Sequence, residues 1–209
     1  MTSLIRLPKM VREAAFREGS FNENDNTIEV VWTAGATVRR LSWLDGEFDE
    51  ELIVSPNSVR LERLNAGAPF LDTHSRHSLE NVIGNVVRGT ARIEGGKGIA
   101  RIKLSAAPDA ANRVARIKEG TVVNVSTGYI VREVERTERD GKIPLIRVTD
   151  WEPFEISAVA VPADPSAQIR TAQEAGEGFE CRVELALADQ HAVRSARMRM
   201  LARQNGLTI

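Results

Sequence analysis

The sequence contains one cysteine, Cys181, so no intrachain disulfide can hold this fold together. A lone cysteine in the C-terminal part reads as structural or incidental, and it fits a reducing compartment. Long apolar runs are also missing. Nothing approaches the roughly 20 consecutive apolar residues that a membrane-crossing helix requires. The opening residues MTSLIRLPKMVREAAFREG lack the apolar centre of a secretion signal. These absences predict a soluble, intracellular protein with no membrane partner, in which the sequon Asn124-Val125-Ser126 carries no glycan. Neither sign of charge is in excess: 28 Lys and Arg against 29 Asp and Glu leave a formal net charge of −1. That balance supplies no overall basic field, so no nucleic-acid partner is expected. Internal repeats and low-complexity tracts are absent too. What remains, 209 residues of which 42% are hydrophobic, is enough for one substantial core in a single domain of medium size.

Along the chain, residues 1–26 are polar and end in NENDN, which predicts a flexible N-terminal arm with strands beginning only after it. Residues 27–170 form the expected domain. Its first elements are a hairpin that turns at Ala34-Gly35 and returns over 36–43, then a short helix over 57–65 opened by Ser55-Pro56. Short strands follow over 81–88, 91–94 and 98–104, punctuated by glycines. Pro108 opens a helix whose apolar stripe is Ala110, Ala111, Val114 and Ile117, and Gly120 stops it. A strand over 121–133, a charged hairpin turning at Asp140-Gly141, and a nearly all-apolar strand over 154–161 complete the domain. Residues 171–209 read as a linker, TAQEAGEGFE, and an amphipathic helix over 185–205. The fold class is mostly β with helical additions (α+β), a barrel or sandwich.

The stretch GTVVNVSTGY, residues 120–129, places one small hydroxyl, Ser126, in an otherwise apolar strand. Its plain reading is a half-buried serine bonded to backbone. Its chemical reading is a nucleophile on a rigid element, beside a glycine, Gly128, that leaves room for a substrate carbonyl. The second reading needs a base and an orienting acid. The chain has three histidines, and His191 falls in the predicted C-terminal helix, where a surface role is expected. His74 and His77 share the loop DTHSRH with Asp72, a set that is a weak match to a divalent-metal site. The alternative is that one of them takes the Ser126 proton while a third group orients the ring. Candidates for that group are Asp72, Asp150, Glu152, Glu155 and His77. Glu155 stands out because it interrupts the apolar strand FEISAVAV, where a histidine partner would offset the cost of burying a carboxylate. Ser157, two residues on and on the same face, is a rival nucleophile.

The succession RRLSWLDGEFDEELIVSP, VRLERLNAGAPFLDTHSRH, VIGNVVRG, IKEGTVVNVSTGYIV and WEPFEISAVAVPADPSAQIR resembles the caudoviral (tailed-phage) prohead serine protease family across about residues 35–170. The resemblance implies a fold similar to that of the herpesvirus assembly proteases, a β-barrel surrounded by helices. It also implies active-site residues in the order histidine, serine and a third member, which fall on His74, Ser126 and, in the WEPFEIS segment, Glu155. The herpesvirus enzymes use a second histidine in third place, and this chain has none between His77 and His191. The implied activity is a serine endopeptidase that needs no cofactor or metal and works inside the immature capsid in the host bacterial cytoplasm. Its expected substrates are the scaffold or the scaffolding arm of the major capsid protein, with self-cleavage and a homodimer as further expectations. Two other readings stand beside it: a catalytically silent β-domain that docks onto capsid or scaffold, and a metal-dependent hydrolase built on His74 and His77.

Overall fold

The computed structural model describes residues 2–7, 10–16, 21–42, 46–160 and 179–185. Strands dominate them. The first six are β1 (Thr2–Leu7), β2 (Met10–Phe16), β3 (Thr27–Thr33), β4 (Val38–Ser42), β5 (Gly46–Leu52) and β6 (Pro69–Asp72). The rest are β7 (Val82–Val86), β8 (Arg92–Glu94), β9 (Lys97–Leu104), β10 (Asn124–Thr137), β11 (Leu145–Val159) and β12 (Phe179–Leu185). Helices are few and short among the described residues: α1 (Glu62–Asn65), α2 (Ala111–Lys118), and 3-10 turns at Leu79–Asn81 and Pro108–Ala110. The mostly β class read from the sequence therefore holds, with less helix than expected. Hydrogen-bonded neighbours run β1-β12-β10-β2-β3-β9-β7-β6-β11-β5-β4, with β8 on β9 and a further direct pairing of β10 with β11.

The long hairpin of β10 and β11 is the spine of this arrangement. It turns where Asp140-Gly141 predicted, with Gly141 at φ 62°, and its pairing runs from Thr137↔Leu145 to Asn124↔Val159. The expected separate strand over 154–161 is instead the far half of β11. Pro153 does not end that strand, because it sits where the register shifts: Tyr129 faces Pro153 while its neighbour Gly128 faces Glu155. Phe154 is the extra residue of this bulge, and beside a bulge a strand tolerates a residue such as Pro153 that cannot donate.

Four other expectations change. The 28–43 hairpin does not form; β3 pairs with β2 and β9, and β4 pairs with β5. Charge explains the second choice, since the Arg39-Arg40 pair of β4 lies against acidic β5. Arg39 Nε is 2.7 Å from Asp49 Oδ1, and Arg40 Nε is 3.1 Å from Glu50 Oε2. Strands begin before residue 26, because β2 hydrogen-bonds along the β10 edge from Tyr129↔Met10 to Asn124↔Ala15. A sheet edge offers an unpaired backbone ladder, and that outweighs the polar composition of the segment. In the predicted 57–65 helix only Glu62–Asn65 is helical: Ser55 to Ser58 is a turn, and buried Val59 forms a bridge with Trp151. The end of the linker reading is overtaken by β12, which pairs with β1 and runs parallel to β10. The remainder of the linker and the C-terminal helix reading lie outside the described residues.

The core is centred on aromatic rings. Trp151 packs edge-on against Trp32 at 5.9 Å and against Tyr129 at 5.5 Å between centroids. Ala110, with Val114 and Ile117 of α2, joins the same buried cluster as Val125 of β10, so the predicted apolar stripe faces the sheet's core except at Ala111, which is exposed. Glu50 is buried with them, but paired: the Tyr129 hydroxyl donates to its Oε2 at 2.7 Å, and Arg40 reaches both. Burial alone would lower the Arg40 pKa, yet Tyr129 and Glu50 beside the guanidinium hold it above its ordinary value.

Two predictions follow from this packing. A Cβ on Gly98 would lie less than 3.0 Å from three ring atoms of Trp32. Gly98→Ala should therefore cost about 1–3 kcal/mol of stability through overpacking, read as a lowered urea midpoint at unchanged slope. Burial, with Glu133 and Asp150 adding to it, pushes the Cys181 thiol from its ordinary 9.0 up to about 11. The folded chain thus holds this proton more tightly than the unfolded one, a contribution that is complete below pH 9.0 and lost as pH rises towards about 11. Stability measured across that window should fall, and should fall less steeply in Cys181→Ala.

Candidate active site

His74 is presented by a sharp reversal at the end of β6. Thr73 and His74 both have left-handed backbone, at φ 47° and 61°, an uncommon conformation for residues other than glycine. Hydrogen bonds hold the turn. The Thr73 N–H donates to the Ala158 carbonyl at 3.0 Å and the Ser75 N–H to the Asp72 carbonyl at 2.9 Å. The His74 N–H itself donates to Ser157 Oγ at 3.2 Å. Because β6 runs parallel to β11, with Leu71 opposite Ser157 and Asp72 opposite Ala158, the reversal turns the imidazole back over the end of β11.

There it meets Glu155, 81 positions away in the chain, with His74 Nδ1 at 2.7 Å from Glu155 Oε1. The glutamate is only 2% exposed, so its carboxylate depends on protein partners. Each oxygen has one: Oε1 faces the imidazole, and Oε2 accepts a hydrogen bond from Ser157 Oγ at 2.5 Å. A carboxylate only accepts, so Nδ1 carries the hydrogen and Nε2 is left as the acceptor nitrogen of the ring. This is the tautomer a general base requires.

Ser126 lies on β10, buried, directly opposite Ser157 across the β10–β11 pair. Opposed residues of an antiparallel pair share a face with Cβ atoms about 4.5–5.5 Å apart. Ser126 is therefore a neighbour of the hydroxyl that contacts both Glu155 and the His74 backbone. Gly128, opposite Glu155, was expected to leave room for substrate; the glutamate uses that room instead. A Cβ there would come within less than 3.0 Å of Glu155 Oε1 and of the Phe154 ring.

The rival acids are engaged elsewhere. Asp150 binds Arg60, whose Nε is 2.8 Å from Oδ1, and Glu152 lies between Arg132 at 2.6 Å and Arg63 at 2.9 Å. Asp72 accepts from the Thr73 hydroxyl at 3.1 Å and lies 3.6 Å from Arg113. His77 is exposed, and His191 falls outside the described residues. Among the described residues no three His, Cys, Asp or Glu side chains gather as a metal would need. Ser157, read from sequence as a competing nucleophile, is fully buried with its hydroxyl committed to Glu155. The sequence placed it on the right face, and its bonds here are those of a supporting hydroxyl. Spacing from Glu155 was the only signal, and it could not separate an attacking hydroxyl from a supporting one.

The profile of the caudovirus prohead serine protease family matches residues 48–181. The major capsid protein of Halomonas phage phiHAP-1 is 35% identical over 120 residues, a match that takes in 57% of this chain and 20% of that protein. The chain thus corresponds to a small part of that relative's length. No solved structure matches the chain. Since the matched span covers more than half of the sequence, the chain belongs to the caudovirus prohead serine protease family.

Proposed function

We propose that this protein is a serine endopeptidase of phage capsid maturation, with Ser126 as nucleophile, His74 as general base and acid, and Glu155 as the group that orients and stabilises the imidazolium. The observation that carries this reading is the 2.7 Å contact between His74 Nδ1 and the buried Glu155 carboxylate, on the same face of the sheet as Ser126. A serine hydroxyl is a poor nucleophile near neutral pH and needs its proton withdrawn as it attacks. Ser126 Oγ would add to the carbonyl carbon of the scissile peptide while its proton passes to His74 Nε2. The imidazolium, held by Glu155, would return that proton to the departing amine, leaving an acyl-enzyme. Water activated by the same imidazole would then release the acid and restore the serine.

The substrate side of the reading is the scaffold or the scaffolding arm of the major capsid protein, inside the immature capsid in the host cytoplasm. Its support is the family and the similarity of part of the chain to a protein named major capsid protein. Self-cleavage is supported by the polar sequence around Gly176-Glu177-Gly178, whereas β1 and β2 tie much of the segment before Asn26 into the sheet. Dimerisation rests on the resemblance to the herpesvirus assembly proteases. So does the barrel, which also draws support from the path β10-β2-β3-β9-β7-β6-β11 and the direct pairing of its two ends.

Ser126→Ala should lower turnover by about 10⁴- to 10⁶-fold while the protein stays folded. A fluorophosphonate should attach to Ser126 in the wild type and not in that variant. Equal processing of scaffold by both proteins, or a phosphonate mapped to another residue, would remove Ser126 from the mechanism. Glu155→Gln keeps the size of the side chain but not its charge. It should reduce turnover by about 10³- to 10⁴-fold, mainly in kcat, and a loss confined to KM would contradict its role.

A further inference from the structure

We infer that Ser157 is a positioning residue of this active site: one buried hydroxyl that fixes both the acid and the backbone of the base. The inference rests on the triad reading above. Ser157 is fully buried and sits between the two groups whose relative placement decides whether the imidazole works. Its oxygen accepts the His74 N–H at 3.2 Å, so its own hydrogen is available to Glu155 Oε2, where it lies at 2.5 Å. Each of these bonds has a separate consequence.

The bond to His74 secures a residue in left-handed backbone, which persists only when the surroundings hold it. The bond to Glu155 fixes a carboxylate that could otherwise turn about its terminal torsion, since that torsion has broad preferences and no well of its own. With Oε2 tied to Ser157, Oε1 is aimed at Nδ1. Gly128 contributes space only: with no Cβ there, the carboxylate fits between β10 and β11, and Ser157 sets its angle. The position therefore calls for a hydroxyl, not merely a small residue.

Three variants test this: Ser157→Ala, Ser157→Thr and Ser126→Ala. Two measurements are made on each: the rate constant and apparent affinity for fluorophosphonate attachment to Ser126, and the downfield proton resonance of the His74 Nδ1–H in ¹⁵N-histidine-labelled protein. Thermal melts establish the folded fraction. Ser157→Ala should lower the maximal attachment rate by about 10- to 100-fold, change apparent affinity by less than about threefold, and lose the resonance to solvent exchange. Ser157→Thr should recover the resonance and most of the rate, and Ser126→Ala should keep the resonance while taking no label. Wild-type rate and an intact resonance in Ser157→Ala would overturn the inference and leave the triad standing. So would a loss that tracks only the folded fraction, or Ser157→Thr folding normally yet behaving like Ser157→Ala. Absence of label on Ser126 in the wild type would overturn the triad reading and this inference with it.

Discussion

A carboxylate buried among strands is tolerable only when each of its oxygens is given a donor, and the Glu155 site is organised around meeting that condition. Leaving it unpaired would cost several kcal/mol, so the chain around it is constrained from three sides. β6 must end where His74 can reach Oε1, β11 must carry a donor two residues on for Oε2, and β10 must have no Cβ at position 128. These requirements fall on three adjacent strands, and the strand order β6-β11 with β10 paired directly to β11 is what satisfies them together. A solution that satisfies burial also holds an imidazole in the tautomer that accepts a proton. Stability and chemistry are here the same set of hydrogen bonds.

The bulge in β11 lies at the junction of two polar clusters. Tyr129 and Gly128 are consecutive, yet one serves Glu50 and Arg40 in the aromatic core and the other makes room for Glu155. In an unbroken ladder their partners on β11 would also be consecutive. The register shift inserts Phe154 between them, so that Pro153 and Glu155 become the partners instead. Bulges re-aim side chains at a small cost in pairing. This one falls at the proline, which had no N–H to contribute to the ladder.

What could be read from the sequence was local, and what could not was pairing. Glu155 was legible because a charge inside FEISAVAV contradicts its surroundings, and His74 because so few imidazoles were available. The stop at Gly120, the stripe on α2 and the turn at Asp140-Gly141 follow from short-range chemistry, and each appears where that chemistry put it. The partners of β3 and β4 did not follow. Ala34-Gly35 suggested a tight turn, but the two arginines of β4 find their acids on β5, information that lies beyond any hairpin window. The first two strands were missed for a related reason. β2 and β12 gain backbone bonds from β10, a strand remote in sequence from both, and nothing in a polar segment announces which edge will receive it.

The same distinction explains why the sequence leaves Ser157 open to two readings. A hydroxyl on the right face near a carboxylate satisfies the requirements for attack and for support equally well, and the two differ only in what lies opposite. Across the pair on one side of Ser157 is another serine, Ser126 of β10, and on its other side is Leu71 of the parallel strand β6. The buried hydroxyl on β11 has its hydrogen directed to Glu155 and its oxygen to the His74 N–H. An oxygen so committed suits support better than attack, in keeping with the proposal that the hydroxyl across the pair is the nucleophile. Under the proposed mechanism the two serines on one face of this hairpin have different tasks: the strand that carries Glu155 also carries the serine that holds it, and the neighbouring strand carries the serine proposed to react.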